Sequence, residues 1–210
     1  MAVESVVKTR PNADLIAEVA KLWIKPDDLV LDATYGRGAW WKMFRPSHLI
    51  TNDLDTASPS VFHYDFLDLP ARWQEHFDVV AFDPPYIAQA GHQTSTVQEM
   101  LCRYGLMSVP NTPQKLREFI GKGIVNVSDV VAPSGRLLVK CMDYISRGQY
   151  QSGLTSAIDY AARARLRLVD LFVHHSGSGP QPKVNRDGTP RRQLHSRRVH
   201  SYLVVFQKGR

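Results

Sequence analysis

Four consecutive residues, Asp83, Pro84, Pro85 and Tyr86, form the chemically most informative stretch of the sequence. They follow the apolar run 77–82, which has the composition of a buried β-strand. Proline lacks an N–H donor and has a fixed φ, so the two prolines end this strand in a rigid elbow. In open α/β sheets, ligands bind at the carboxyl ends of the strands. An acid, a stiff backbone carbonyl and an aromatic ring at that edge therefore predict a ligand-binding or catalytic site.

A second candidate site lies in the stretch LDATYGRG, residues 31–38. Asp32 ends a short apolar strand, and Gly36 and Gly38 frame a tight turn that lets the backbone approach a ligand closely. A dinucleotide fingerprint needs a third glycine where Trp41 stands, and the lysine pattern of a P-loop is absent. The turn therefore favours neither NAD nor a P-loop phosphate site.

Two further acids follow the next two predicted strands. Asp53 is placed to accept hydrogen bonds from both hydroxyls of a ribose. Asp65 is placed to accept a hydrogen bond from an adenine amino group, with Phe66 or Tyr64 packing on the ring. Each acid alone is compatible with a simple turn cap. Three acids and a glycine turn at one edge of the sheet, however, predict an adenosine pocket.

The hydrophobic pattern predicts the elements that would position these residues. Strands are predicted at 28–32, 48–53, 60–68, 77–82, 134–142, 166–175 and 199–206, and helices at 12–24, 39–44, 113–131 and 154–164. Their alternation predicts a mostly parallel sheet with helices on both faces, and the last two strands, joined without a helix, predict an antiparallel hairpin. No linker divides the chain, so we expect one α/β domain over 1–210. Residues 87–112 predict a functional or mobile loop, and 176–198 a polar hairpin connection.

The charge is distributed unevenly along the chain. Residues 163–210 carry 11 Lys and Arg against 2 Asp and Glu, whereas residues 1–162 carry 15 against 18. This asymmetry indicates an anionic partner, most often nucleic acid. The basic residues of the hairpin connection that would contact phosphates are Lys183, Arg186, Arg191, Arg192, Arg197 and Arg198.

Composition excludes several other classes of protein. No stretch has the length and apolar character of a membrane span or a signal peptide, and Cys102 and Cys141 have no metal or redox spacing. We therefore expect a soluble, cytoplasmic protein with no membrane partner. The histidines 174, 175, 195 and 200 are interpreted as polar contacts near strand ends, and no metal site is predicted.

Taken together, these motifs resemble the class I S-adenosylmethionine-dependent methyltransferases, specifically the amino-methyltransferases with a D/N/S-P-P-Y motif. The matching pieces occur in family order and span nearly the whole chain: LDATYGRG at 31–38, ND at 52–53, HYDF at 63–66, FDPPY at 82–86, SGRLLVK at 134–140 and HSYLVVF at 200–206. The sequence differs from the D-P-F-x-G-x-G motif of many DNA enzymes at Ala33 and Thr34.

The resemblance implies a Rossmann-like, seven-stranded sheet and S-adenosylmethionine as cofactor. It implies that Asp32, Gly36 and Gly38 line the methionine and ribose side of that cofactor, that Asp53 holds the ribose, and that Asp65 and Phe66 hold the adenine. Asp83 and the carbonyl of Pro84 would accept hydrogen bonds from an exocyclic amine, with Pro84 and Pro85 keeping these acceptors preorganised and Tyr86 stacking on a flipped base. No metal takes part in this chemistry.

The predicted function is methylation of an exocyclic amino group of a nucleic-acid base, with adenine N6 in DNA favoured. An RNA base, at adenine N6 or guanine N2, is the first alternative. A catalytically silent nucleic-acid-binding subunit with the same fold is the second. A protein substrate is disfavoured by the basic hairpin connection, and the sequence leaves open a homodimer or a partner subunit.

Overall fold

The computed structural model describes residues 7–8, 11–54, 58–85, 110, 112–146, 148–175, 185, 187–189, 195–196 and 198–210. Its strands are β1 (Val7–Lys8), β2 (Leu29–Asp32), β3 (His48–Thr51), β4 (Phe77–Phe82), β5 (Val131–Cys141), β6 (Tyr144–Ser146), β7 (Gln149–Gln151), β8 (Leu166–His175) and β9 (His200–Lys208). Its α-helices are α1 (Asn12–Trp23), α2 (Pro113–Asp129) and α3 (Gly153–Arg163).

The main sheet has the strand order β1-β8-β9-β5-β4-β2-β3. All neighbouring strands are parallel except β9, which runs antiparallel to both β5 and β8. This confirms the predicted α/β class, the mostly parallel sheet and the antiparallel hairpin. The separate hairpin β6–β7 follows β5 and has no counterpart in the sequence prediction.

The predicted third strand at 60–68 does not form, so the seven strands predicted are not those observed. Only one parallel bridge joins Asn52 to Phe62 in this region. The Asn52 side-chain amide accepts a hydrogen bond from the Tyr64 N–H and donates one to the Tyr64 carbonyl, which replaces a strand ladder with a side-chain contact. The two-residue strand β1, which was not predicted, lies at the opposite edge of the sheet.

Two hydrophobic cores cover the two faces of the sheet. On one face, Leu15 and Val19 of α1 pack with Trp40 and Trp41 against the strands. On the other face, α2 and α3 pack against a second cluster that includes Phe82. The helices therefore lie on both faces, as predicted.

Residues 39–44 are not the α-helix that the sequence predicted. A short 3₁₀ turn, Ala39–Lys42, occupies this place, and both of its tryptophan side chains are buried. The preceding residue, Gly38, has a left-handed backbone with φ of 67°. This conformation connects the glycine turn to the 3₁₀ turn that carries the two buried tryptophans.

Most of the predicted loop at 87–112 and most of the connection at 176–198 lie outside the described residues. Within the described part of the chain, no helix is both long and apolar enough to cross a bilayer. The prediction of one domain over 1–210 and the predicted cytoplasmic location stay predictions.

Candidate active site

The carboxyl ends of β2, β3 and β4 meet at one edge of the sheet. In the strand register, Asp32 at the end of β2 is the partner of both Thr51 on β3 and Ala81 on β4. The acids that follow β3 and β4, Asp53 and Asp83, are consequently brought to the same edge. Parallel strands placed side by side produce this clustering from residues that are far apart in the sequence.

A cleft of about 520 Å³ opens at this edge. Its described walls are formed by Ala33, Thr34, Asp53, Leu54, Tyr64, Asp65, Phe66, Asp83, Pro85 and Phe119. Residues that the sequence assigned separately to cofactor and to catalysis therefore line one continuous space.

The glycine turn is tied to the end of β3 by backbone hydrogen bonds. The N–H of Gly36 donates to Oδ2 of Asp53 at 2.6 Å, and the N–H of Tyr35 donates to the carbonyl of Asn52 at 2.9 Å. Both predicted glycines have the left-handed backbone, with φ of 54° at Gly36 and 67° at Gly38. The structure thus brings the turn and Asp53 together, as the adenosine-pocket prediction requires.

Asp32 lies behind the glycine turn and is only 4% exposed. It accepts hydrogen bonds from Trp41 Nε1 at 2.6 Å and from the Thr34 N–H at 3.0 Å. Burial raises the pKa of Asp32 to about 7, although the hydrogen bonds from Trp41 and Thr34 oppose the change. Both carboxylate oxygens of Asp32 accept hydrogen bonds from the protein, and Asp32 is not among the residues that line the cleft. Its contacts are therefore those of a residue that stabilises the turn.

Asp65 and Phe66 line the cleft, but each also has a structural contact. Oδ1 of Asp65 accepts a hydrogen bond from the Leu67 N–H at 2.8 Å. Phe66 is 9% exposed and packs edge-on against Phe82 and Phe119, with ring centroids 5.1 Å apart in both cases. Their proposed contacts with adenine stay predictions.

The two carboxylate oxygens of Asp83 have different surroundings. Its Oδ2 accepts a hydrogen bond from Trp40 Nε1 at 2.9 Å, and its backbone N–H donates to Thr34 Oγ1 at 2.8 Å. Its Oδ1 is buried and has no hydrogen-bond partner among the described residues. Burial raises the pKa of Asp83, and the nearby cation of Lys140 opposes this effect.

The remaining predicted residues of the elbow are placed differently. Pro84 is buried, Pro85 lines the cleft, and Tyr86 lies outside the described residues. The residues that the sequence reasoning missed are Trp40, Thr34 and Lys140. Only Lys140 carries a clear sequence signal, because it is a charged residue directly between the buried apolar residues Val139 and Cys141 of β5.

The basic connection is described only near its carboxyl end. Arg198 lies over the ring of Tyr150 in the β6–β7 hairpin, with its guanidinium carbon 4.9 Å from the ring centroid. Tyr150 in turn donates a hydrogen bond to the buried carboxylate of Asp143. His195 Nε2 lies 2.7 Å from the carbonyl oxygen of Gly148, so two contacts join this segment to the hairpin. The predicted phosphate contacts Lys183, Arg186, Arg191, Arg192 and Arg197 lie outside the described residues.

No protein-family model matches the chain, and a search of curated proteins gives no match. Solved structures do match. A protein from Bacillus halodurans C-125, described as a candidate methyltransferase, is 14% identical, covers 93% of this chain and 99% of its own, and superposes with a TM-score of 0.56. A candidate exported protein from Bordetella parapertussis is 9% identical, with 94% and 67% covered and a TM-score of 0.55.

A third match is an S-adenosylmethionine-dependent methyltransferase from Methanosarcina mazei, which is 11% identical, with 91% and 97% of the chains covered and a TM-score of 0.47. The chain has the Rossmann-like α/β fold found in methyltransferases, with the cleft at the carboxyl ends of β2, β3 and β4. At identities this low, the similarity is one of fold.

Proposed function

We propose that the protein is an S-adenosylmethionine-dependent methyltransferase that methylates an exocyclic amino group of a nucleic-acid base, with adenine N6 in DNA as the favoured target. The observation that carries this proposal is the buried Oδ1 of Asp83, which has no hydrogen-bond partner among the described residues although it belongs to a residue of the cleft. A buried acceptor without a partner costs about 1–3 kcal/mol, and an amine N–H would satisfy it.

The cofactor half of the cleft has acceptors and aromatic surface of the kind that an adenosine would contact. Asp53 and Asp65 provide carboxylate acceptors for hydroxyl and amino hydrogens, and Tyr64 and Phe66 provide aromatic surface. The glycine turn, held to Asp53 through Gly36, lets a ligand approach the backbone closely. When bound, the cofactor would supply an electrophilic methyl group attached to a sulfonium.

The acceptor half of the cleft would position the nitrogen that receives this methyl group. An amine whose N–H is held by Asp83 Oδ1 would be oriented to receive the methyl group that the cofactor supplies. Asp83 would accept the proton that the nitrogen releases when it is methylated. Burial raises the pKa of Asp83, so its carboxylate accepts a proton more readily than an exposed aspartate does.

The basic carboxyl-terminal part of the chain supports nucleic acid as the substrate class. Arg198 packs against Tyr150 of the β6–β7 hairpin. This hairpin directly follows β5, which is the strand next to β4. Arg198→Ala should weaken nucleic-acid binding. It should also lower the slope of the logarithm of the binding constant against the logarithm of salt concentration by about one, because one phosphate contact is lost. Arg167→Ala is the matched control, because Arg167 is bound to Gln207 near the opposite ends of β8 and β9.

The test is methyl transfer from radiolabelled S-adenosylmethionine to duplex DNA, total RNA and protein extract in separate reactions, followed by digestion and identification of the labelled product. Label in N6-methyladenine from DNA would support the favoured target, whereas label in an RNA base would keep the amine chemistry and change the substrate. Label only in protein would contradict the nucleic-acid proposal. Cofactor binding without transfer to any pool would favour a missing partner subunit, and no cofactor binding would favour a silent subunit.

Two variants sharpen this test. Asp83→Asn should abolish transfer while cofactor affinity stays within about threefold, because the acceptor of the amine proton is lost. Asp170→Asn is the control, since Asp170 accepts an indole hydrogen bond from Trp23 at 2.8 Å, as Asp83 does from Trp40, but is not among the residues of the cleft. Full activity in Asp83→Asn would contradict the mechanism.

A further inference from the structure

Lys140 is a buried lysine beside the candidate active site. Its side chain is 1% exposed, although it carries a charge in its ordinary state. Lys140 lies on β5, and the register pairs Val139 on this strand with Phe82 on β4. Lys140 on β5 and Asp83, the first residue after β4, therefore directly follow this pair along two neighbouring parallel chains.

Both side chains point to the face of the sheet that α1 covers. Lys140 Nζ donates a hydrogen bond to Oδ1 of Asn12, the first residue of α1, at 2.5 Å. Asp83 Oδ2 accepts from Trp40, whose ring belongs to the hydrophobic cluster on that same face. The two charged groups thus share one buried environment, because side chains alternate between the faces of a sheet.

The hydrogen bonds of both groups are to neutral partners. An asparagine amide holds the ammonium of Lys140, and an indole N–H holds the carboxylate of Asp83. Burial of an isolated charge is costly, and neutral hydrogen-bond partners do not cancel the charge. Each group is therefore the available countercharge of the other.

The other titratable groups around this pair do not replace either charge. The carboxyl of Asp32 interacts with that of Asp83, and the thiol of Cys141, whose pKa burial raises to about 12, interacts with both members of the pair. Negative charge on Asp32 would make ionisation of Asp83 harder. Among the described residues that shift the pKa of Asp83, only Lys140 is a cation.

We propose that Lys140 is a positioning residue for methyl transfer, whose buried ammonium keeps the Asp83 carboxylate in the ionised form that accepts the N–H of the target amine. This inference rests on the proposed function for its catalytic consequence. The coupling between Lys140 and Asp83 is a property of the protein without substrate. Asn12 holds the ammonium in place through its side-chain oxygen.

The coupling is tested by titrating the protein with ¹³C-labelled aspartate carboxyls by NMR, with the Asp83 signal assigned by its loss in Asp83→Asn. Methionine approximates the volume of lysine without its charge, so Lys140→Met should raise the pKa of Asp83 by at least one pH unit. Lys140→Arg keeps a cation and should restore most of the wild-type titration. An unchanged Asp83 titration in Lys140→Met would overturn the proposal.

Lys208→Met is the matched control for the loss of a partly buried lysine. Lys208 Nζ donates to the carbonyls of Ser128 and Val131 at the amino end of β5, opposite to the candidate site. This variant should lose stability but leave the titration of Asp83 unchanged. A shift of Asp83 equal to that in Lys140→Met would mean that general destabilisation is the cause, and would overturn the proposal.

The catalytic role of Lys140 is tested separately, by comparing methyl transfer by the wild type with methyl transfer by Lys140→Met. In Lys140→Met, kcat at pH 7 should fall at least tenfold, the acid limb of the pH profile should move to higher pH, and KM for the cofactor should stay constant. If no substrate pool accepts a methyl group from the wild type, the proposed function fails while the NMR titration still decides the coupling. If the wild type is active and Lys140→Met has the same pH profile, the positioning role is overturned.

A reciprocal measurement covers the case in which Lys140→Met does not fold. In Asp83→Asn, removal of the carboxylate should lower the pKa of Lys140, followed through the ¹⁵Nζ signal of labelled lysine. The Lys140 signal is assigned by its loss in Lys140→Arg. An unchanged Lys140 titration would contradict the coupling.

Discussion

Trp40 donates its indole N–H to Asp83 Oδ2 at 2.9 Å, across 43 residues of sequence. The next residue, Trp41, donates in the same way to Asp32 Oδ2 at 2.6 Å, and the two ring centroids lie 6.2 Å apart. One short 3₁₀ turn therefore holds the carboxylates at the ends of two neighbouring strands. The contact with Trp40 orients the Asp83 side chain so that its other oxygen, Oδ1, has no hydrogen-bond partner among the described residues.

Trp40→Phe should lower kcat about 10-fold to 100-fold, because a hydrogen bond to a charged group contributes about 1.5–3 kcal/mol. Phenylalanine keeps most of the apolar packing and removes only the donor. Steady-state kinetics with saturating cofactor would measure the effect. Trp23→Phe is the control, since Trp23 donates to Asp170 at 2.8 Å. Equal losses in the two variants would mean that packing, and not the contact with Asp83, controls the rate.

Asp53→Ala should weaken S-adenosylmethionine binding about 10-fold to 100-fold, measured by isothermal titration calorimetry. The substitution removes a ribose acceptor and also leaves the N–H of Gly36 without its carboxylate partner. Asp78→Ala serves for comparison, because Asp78 accepts from the Leu29 N–H at the other end of the same strands. Unchanged affinity in Asp53→Ala would place the ribose elsewhere.

Gly38→Ala should lower the free energy of unfolding by about 3 kcal/mol, and Gly148→Ala by about 1 kcal/mol. Both glycines have a left-handed backbone, with φ of 67° and 73°. A Cβ at Gly38 would lie 2.6 Å from Tyr35 Oη, whereas one at Gly148 would meet nothing within 4 Å. Urea denaturation measures both, and a similar loss in the two variants would show that Tyr35 moves aside freely.

The pH dependence of stability should reveal Asp32. Its pKa in the folded protein is about 7, against an ordinary value of 3.8, so the folded state binds this proton more tightly than the unfolded state does. The resulting stability is fully present below pH 4 and is lost as the pH rises toward 7. Relative to Asp32→Asn, the wild type should lose about 2 kcal/mol between pH 5.5 and pH 7.5. Parallel curves for the two proteins in urea denaturation would contradict this.

The elements with strong periodicity could be predicted from the sequence within a few residues. Helix α1 was expected at 12–24 and forms at Asn12–Trp23, and β8 forms at Leu166–His175 as expected. Regular burial on one or both faces leaves a clear hydrophobic pattern in these segments.

The elements that were missed depend on particular side chains. The hairpin β6–β7 has no hydrophobic pattern, and it is held by Asp143, which accepts hydrogen bonds from Tyr150, Ser152, Tyr202 and the Leu154 N–H. Such long-range polar contacts leave no periodicity in the sequence. The failed third strand has the same cause, since the Asn52 side chain takes the place of a ladder.

The candidate site also has parts that could be predicted from the sequence and parts that could not. The positions of Asp53 and Asp83 could be predicted, because the end of a parallel strand defines the edge that binds ligands. Asp65 also lines the cleft, although the strand that was predicted to carry it does not form. The contact of Trp40 with Asp83 could not, since it depends on how a turn packs across the sheet. Asp32 lies at the expected place but faces Trp41, because the direction of a side chain is decided by packing.

The position of β9 between β5 and β8 has a consequence for folding kinetics. Its residues Leu203 to Phe206 are almost completely buried, and its neighbour β5 begins near residue 131. Sheet closure therefore requires contacts of high sequence separation, which slow folding. During synthesis, β5 and β8 would present unpaired edges until residues through Lys208 have left the ribosome. A chaperone that covers strand edges should raise the yield of this protein more than one that stabilises helices.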